Sequence, residues 1–358
     1  MLKLINDWYN QHFSNPQVAI LVLILLIGSS VIIFAGGILT PILAAVVLAY
    51  LLDGGVEWLR QFKIPRTIAV LVVFSLFLLS ITLLLLVLAP MLLKQASQFV
   101  VAVPNMISNG QQVLMLLPEK YPNIISEEVV LEILNSLRTH VTQASQQVLS
   151  FSIASVFDLI AFMVYLVVVP LLVFFFLKDR NSILQWFSSF LPADRSLVSK
   201  VWKDLNLKIA GYVRGKFLEI LIVWVITFVT FLFFGLQYSM LLSFLVGVSV
   251  LIPFVGAVIV TIPVVAVAYF QWGYTNDFIY VMIAFAVIQF LDGNLLVPLL
   301  FSEMVNLHPA AIIIAVLFFG AIWGVWGVFF AIPLATLIHA IINAWPADDA
   351  IKPPALKA

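Results

Sequence analysis

Cysteine is absent from the 358 residues of the chain, and charged residues make up only 9% of them. Without cysteine there is no disulfide, no thiolate metal site and no cysteine nucleophile. Soluble globular domains carry about 25% charged residues. Charged residues at 9% are too few to cover the surface of a soluble protein of this size. We therefore exclude the class of soluble globular proteins.

Motifs of common enzyme chemistry are also missing. The chain has no Gly-x-x-x-x-Gly-Lys-Ser/Thr phosphate loop, no His-Glu-x-x-His metal motif and no Gly-x-Ser-x-Gly elbow. Its four histidines are scattered, and its net charge is zero with no concentrated basic face for nucleic acid. We therefore expect no enzyme activity, metal, cofactor or nucleic-acid partner; an intramembrane hydrolase has no supporting motif.

Apolar residues dominate instead, at 64% of the chain and a mean hydropathy of +1.17. A helix needs about 20 apolar residues to cross a bilayer, and these runs are continuous rather than alternating, which favours helices over strands. We predict an all-α polytopic transmembrane bundle of about eight segments, and we interpret the first as a retained helix rather than a signal peptide. The segments are 17–35, 37–52, 67–93, 154–177, 217–235, 239–270, 278–300 and 309–343.

Lysine and arginine set the expected orientation. The polar stretches 53–66 and 178–216 are rich in them and are predicted to be cytoplasmic, whereas 94–153 is more acidic and is predicted to lie outside. Both termini then lie in the cytoplasm. The predicted regions are a three-span part (1–93), an outer helical insertion (94–153), a fourth span (154–177), cytoplasmic or interfacial amphipathic helices (178–216), a membrane core with broken helices (217–345) and a tail (346–358).

The two long polar regions each allow two interpretations. Residues 94–153 fit a solvated helical hairpin that packs on the membrane domain or on a neighbouring subunit, with a substrate-capture domain as the alternative. Residues 178–216 fit a basic amphipathic helix held in the membrane interface, with a moving gate between the fourth and fifth spans as the alternative.

The sixth and eighth segments carry related interruptions. Gly256 is followed seven residues later by Pro263, and Gly327 is followed six residues later by Pro333, each proline preceded by isoleucine. Paired segments broken by glycine and proline indicate a transporter binding site, and simple kinks filled by neighbouring side chains are the alternative. Each segment fits either a kinked span or a re-entrant hairpin; we interpret them as spans. Pro253 and Gly256 are candidate site residues.

Asp292 is the strongest candidate for a functional acid. It lies within an apolar segment that also holds Gln289, Asn294 and Pro298. A charged residue at a helix centre costs about 2.5–3.5 kcal/mol on insertion scales, which makes it a functional candidate by default. We predict that this group binds a cation, relays a proton or contacts a polar substrate; interhelical hydrogen bonding is the alternative.

Other acids lie at segment edges. Glu219 follows Arg214 and Lys216, so a structural ion pair is expected there, although Glu219 and Arg214 are also candidates for coupling or gating. Glu303 and His308 flank a loop, and a loop-edge role is expected; His308 can also titrate near neutral pH.

Several stretches together resemble one family of membrane proteins. They are Phe175 to Arg180, Gly211 to Lys216, Ile252 to Gly256, Phe290 to Pro298, Leu307 to Pro309, Trp323 to Gly327 and Ala331 to Pro333. In this combination they resemble the autoinducer-2 exporter family, in its permease branch, over nearly the whole chain. The commoner family pattern has asparagine directly after the acid, whereas here Gly293 separates Asp292 from Asn294.

The resemblance implies an oligomeric transport protein of the bacterial inner membrane. Family members have been linked to export of the signal autoinducer-2, and others to sodium (lithium)/proton antiport. We predict a secondary transporter for a small polar solute, a signal molecule or a cation exchanged for protons. Its expected partners are the lipid bilayer, that solute or cation, protons and further copies of the chain; a non-transporting membrane scaffold is the alternative.

Overall fold

The computed structural model describes residues 16–114, 156–190, 196–253, 255–301 and 308–344, with isolated positions between 128 and 139. Helices account for the regular structure of these residues and no strand occurs among them, which confirms the all-α prediction. The helices are α1 (Pro16–Gln61), α2 (Arg66–Leu83), α3 (Ala89–Leu114), α4 (Val156–Lys178), α5 (Arg180–Ser189), α6 (Ser196–Phe233), α7 (Ser239–Ser249), α8 (Val255–Trp272), α9 (Asn276–Leu291), α10 (Val297–Phe301) and α11 (Pro309–Ala344).

Six helical stretches of the described chain are long and apolar enough to cross a membrane. A seventh joins them if the bent pair Phe162–Lys178 and Arg180–Ser189, with 83° between its parts, is one span. The helices form two compact units. The first holds Met1–Val73, Val169–Phe217 and Pro298–Ala358, and the second holds Phe74–Val168 and Leu218–Val297.

Helix α1 differs from the sequence-based segments. Two segments were predicted at 17–35 and 37–52, but residues Pro16–Gln61 form one helix of 46 residues. Glycine inside a helix costs only about 1 kcal/mol, whereas opening the chain in lipid exposes backbone groups at several kcal/mol each. The Gly36–Gly37 pair is therefore not enough to end the helix.

A helical hairpin takes the place of the single helix expected at 239–270. Helix α7 has 11 residues, or about 16 Å, which is half of a hydrocarbon core of about 30 Å. The chain then turns and returns through α8. The Gln271 side chain at the end of α8 bonds the backbone at Gly235 and Gln237, just before α7, at 2.8 and 2.7 Å. Both ends of the hairpin therefore lie on one side.

Helix α11 also reverses direction. Its backbone leaves helical geometry at Gly324, where φ is 60° and ψ is −135°, a conformation that favours glycine. Past this point Gly327 lies directly against the Phe319 carbonyl, and a methyl group on Gly327 would collide with it. In a straight helix residues eight apart are about 12 Å apart along the axis. The helix therefore folds back as two arms rather than running straight across.

Two π-helical turns interrupt the long helices, at Leu84–Leu88 between α2 and α3 and at Asp292–Leu296 between α9 and α10. In both, a proline follows the turn at the second position, Pro90 in one case and Pro298 in the other. Proline has no N–H to donate and its ring clashes with the carbonyl four residues earlier. Widening the turn relieves that clash, and such turns are frequent at functional sites.

The first part of the predicted outer insertion packs on the hairpin of the second unit. The Gln95 side chain accepts a 2.9 Å hydrogen bond from the Leu241 N–H, Phe99 packs edge-on against Tyr238, and Gly110 faces the Phe270 ring. Here the long helix α3 covers α7 and α8. Most of residues 115–155 lie outside the described chain.

Candidate functional site

A buried stripe of α6 carries two polar side chains through the core of the second unit. Glu219, Val223, Thr227 and Phe231 recur every four residues, and each is at most 2% exposed. Residues four apart lie on one helix face. A carboxyl group and a hydroxyl group therefore share an otherwise apolar face.

Helix α9 faces this stripe. The rings of Phe231 and Phe285 pack at 6.1 Å between centroids. Helix α9 starts on the side where α6 ends, because the hairpin between them returns to that side, so the two helices are antiparallel. Thr227 lies four residues before Phe231, and Gln289 lies four residues after Phe285. Because the helices are antiparallel, both residues are displaced from the aromatic pair by about 6 Å in the same direction along the helix axes. Trp224 and Asp292 each lie seven residues away, at about 10 Å.

Three side chains of α6 and α9 carry buried hydrogen-bond donors that have no acceptor in the described protein. They are the Trp224 indole N–H, the Thr227 hydroxyl and the Gln289 side-chain amide. Thr230 and Thr261 behave differently, because each hydroxyl donates to the carbonyl four residues earlier at 2.8 and 2.7 Å. An unsatisfied buried polar group costs about 1–3 kcal/mol. Trp224, Thr227 and Gln289 carry such groups at neighbouring depths of the unit.

The tip of the hairpin lies at the same end of the unit. Gly247 of α7 packs against the Trp224 Cβ and the Ile220 carbonyl so closely that a methyl group on Gly247 would collide with the Trp224 Cβ. Val250, beside the tip, belongs to the same core as Val223, and Leu296 of the π turn packs on that core. The end of α7 thus meets α6 beside Trp224, one of the unsatisfied groups.

Five of the six predicted substrate-site residues lie in this unit, in two places, whereas Pro298 belongs to the first unit. Asp292 opens the π turn and is half-buried. The Asn294 side chain donates to the Phe290 carbonyl of its own helix at 2.9 Å and is exposed. Pro298 follows the turn and is exposed. Pro253 lies in the hairpin turn, and Gly256 lies just after it, directly against the Ser249 carbonyl.

The predicted coupling residues are dispersed. Glu219 is buried on the α6 stripe. Arg214 is directed at the Tyr50 carbonyl, at 3.3 Å from its Nε. His308 is exposed, and its Nδ1 accepts the Ala310 N–H at 3.2 Å, as expected for a loop edge. Glu303 lies outside the described residues.

A charged cluster in the first unit escaped the sequence-based prediction. Asp53 accepts a 2.7 Å hydrogen bond from Arg180, and Arg66 and Arg214 each lie 4.0 Å from its carboxylate. Asp53 had been placed at the edge of a cytoplasmic loop, but α1 continues past it to Gln61. A signal was available, because two of the family-like stretches each contain one of these arginines.

In the described chain no group of three His, Asp or Glu side chains is arranged to hold a metal ion.

Comparison with known proteins identifies the family of the chain. The model of the AI-2E family transporter matches residues 20–347. "Putative permease PerM" of Escherichia coli (strain K12) is 44% identical over 346 residues, covering 97% of this chain and 98% of that protein. "Putative transport protein YueF" of Bacillus subtilis (strain 168) is 26% identical over 348 residues, covering 92% of each.

Long apolar helices, a hairpin between them and rare buried polar groups define a polytopic helical membrane protein. Within that class the family match over nearly the whole chain is decisive. The chain belongs to the AI-2E transporter family.

Proposed function

We propose that the protein is a secondary transporter of the bacterial inner membrane with its substrate path in the second unit. Gln289 on α9, Asp292 at the start of the π turn that follows α9, and Thr227 on α6 contact the substrate. The tip of the α7–α8 hairpin closes the path. The substrate is a small polar solute or signal molecule, or a cation exchanged for protons. Asn294 and Pro298 act by holding the π turn open.

The observation that carries this proposal is the set of unsatisfied donors on Trp224, Thr227 and Gln289. Together they would cost about 3–9 kcal/mol if never met, which is comparable with the whole stability of a domain, about 5–15 kcal/mol. A polar solute and its bound water accept hydrogen bonds from these donors while the solute passes, which relieves that cost during part of the transport cycle. Half-helix ends of a broken segment commonly adjoin such sites in transporters.

Two carboxyl groups make proton coupling chemically feasible. Glu219 on α6 is fully buried, and Asp292, directly after α9, is half-buried. A carboxyl group in a bilayer is costly when charged and changes protonation as its surroundings become wet or dry. Exchange of a cation for a proton at these carboxylates would drive the change between open and closed states.

Transport in proteoliposomes tests the site through matched pairs of variants. Thr227→Val removes the unsatisfied hydroxyl, and Thr230→Val removes a hydroxyl one turn away that is already bonded to its own helix. We expect flux of autoinducer-2, or sodium-driven proton flux, to fall at least about tenfold in Thr227→Val, equivalent to about 1.4 kcal/mol. Thr230→Val should stay within about twofold.

Asp292→Asn separates the two substrate classes. If a cation is exchanged for protons, this variant loses proton flux; if a neutral solute is carried without protons, uptake of the solute persists. Wild-type flux in Thr227→Val, Gln289→Leu and Asp292→Asn alike would refute a substrate path here. If the protein then lost its cellular function only on deletion within 94–153 or 178–216, the alternative of a non-transporting membrane scaffold would be favoured.

A further inference from the structure

The first unit contains a cavity of about 340 Å³ between α1, the α4–α5 elbow and the start of α6. Its volume falls in the range of about 300–1,000 Å³ that is usual for ligand sites. It belongs to neither the hairpin nor the buried stripe of the second unit. Nothing in the proposed transport path uses it.

The cavity changes from apolar to charged along α1. Ile42 and Val46 line one end, and Tyr50 and Asp53 line the other. From Ile42 to Asp53 is about 16 Å along the helix axis. The charged end lies toward the end of α1 that carries Arg60, and the apolar end lies toward the middle of the helix. This gradient matches an amphiphile with a polar head and an apolar tail.

The charged end has an excess of positive charge. Asp53 is within 4.0 Å of three guanidinium groups, those of Arg66, Arg180 and Arg214. One carboxylate balances one of them, and Asp179, the neighbour of Arg180, forms no ion pair within 4.0 Å in the described chain. The Arg66 Nε is buried and has no acceptor there. The head of the amphiphile is therefore an anion.

The wall around the cavity has the character of a membrane interface. Helix α5 turns away from α4 by 83°. It exposes Trp186, Phe187 and Phe190, and Trp202 of α6 is half-exposed. Tryptophan and other aromatic residues concentrate at the level of lipid headgroups. Phe187 and Trp202 also line the cavity, so a lipid reaches it from the bilayer without passing through protein.

We propose that this cavity binds an anionic phospholipid, such as phosphatidylglycerol, from the leaflet on the side of these arginines. Arg180, which lines the cavity, contacts the phosphate, since basic pockets between membrane helices recognise such headgroups. Arg66 and Arg214 lie outside the lining but within 4.0 Å of Asp53, and their charges add to the attraction. An acyl chain lies along Val46 and Ile42. Phosphate anions in solution offer the same head chemistry without the tail, so the test separates the two sources.

Native mass spectrometry of the full chain in detergent tests the proposal with phosphatidylglycerol and phosphatidylcholine of identical acyl chains. We expect one phosphatidylglycerol to be retained at concentrations where phosphatidylcholine is lost. Arg180→Gln should weaken phosphatidylglycerol binding about fivefold, the value of one basic residue near an anionic lipid. Lys208→Gln is the matched control, because Lys208 pairs with Asp204 at 2.8 Å and lies outside the cavity.

Ile42→Trp provides a second variant that leaves every charge in place. The larger ring fills the apolar end, so it should abolish lipid retention while the elution volume and thermal unfolding stay unchanged. Equal retention of the two lipids, or equal losses in Arg180→Gln and Lys208→Gln, would overturn the proposal. Displacement of phosphatidylglycerol by glycerol phosphate at equal concentration would also overturn it, since that result assigns the site to a soluble anion.

Discussion

Gln271 and Gly235 are joined by a 2.8 Å hydrogen bond across 36 positions of the sequence, from the Gln271 side-chain amide to the Gly235 carbonyl. The same side chain accepts the Gln237 N–H. These bonds hold the exit of the hairpin to its entrance. They determine that α9 starts where α6 ends, and hence that Thr227 and Gln289 lie at one depth.

Replacing Gln271 with leucine should loosen that closure. Two hydrogen bonds worth about 0.5–1.5 kcal/mol each are lost, and the backbone amides at 235–238 should exchange deuterium about fivefold faster or more. Hydrogen–deuterium exchange in detergent measures this directly. Gln237→Leu is the control, because the part of that residue that bonds Gln271 is its backbone N–H. Equal exchange in the two variants would show that the side chain does not hold the hairpin.

Gly256→Ala should destabilise the hairpin strongly. Its methyl group would collide with the Ser249 carbonyl, which is backbone and cannot move aside. Overpacking costs about 1–3 kcal/mol even where side chains can adjust, so we expect a loss at or above that range, measured by thermal unfolding in detergent. Gly293→Ala is the control, since nothing lies within 4 Å of its added methyl group. A midpoint for Gly256→Ala equal to that of the control would contradict the hairpin geometry.

Asp53→Asn should destabilise the first unit by about 2–3 kcal/mol, because it leaves three arginines without their counter-charge. Breaking a fully buried pair costs about 3–5 kcal/mol, and the smaller figure allows for arginine side chains that are 26–40% exposed. Asp204→Asn breaks the exposed Asp204–Lys208 pair and should change unfolding by less than about 1 kcal/mol. Chemical unfolding in detergent compares them; equal midpoints would show that Asp53 does not hold the cluster.

The sequence predicted the most about features that depend on local order. The all-α class was predicted from the apolar runs. The glycines of the two glycine–proline pairs, Gly256 and Gly327, lie just after the points where the chain reverses, although both segments were interpreted as spans. Asp292 was identified as an acid in a weakened helix, and the structure places it at the start of a π turn. Each of these signals lies within a few residues along the chain, where composition and spacing act directly on the backbone.

Features that join distant parts of the chain were missed. Asp53 and Arg180 are 127 positions apart, and nothing local to Asp53 shows that three arginines converge on it. Thr227 is one of several threonines in apolar helices, and only the packing of α6 against α9 separates it from Thr230. Hydropathy also divided α1 into two segments, because a pair of glycines looks the same whether a helix ends there or continues.

By itself, the sequence determined that the protein is surrounded by lipid and that its secondary structure is helical. Apolar runs of this length require lipid, and in lipid the backbone must satisfy its own hydrogen bonds within helices. The tertiary structure decided the direction of the chain after each break, and with it which polar groups meet. Glycine and proline permit both a kink and a reversal. The choice is made by contacts such as Gly256 against Ser249 and Gln271 against Gly235, which exist only once the helices have packed.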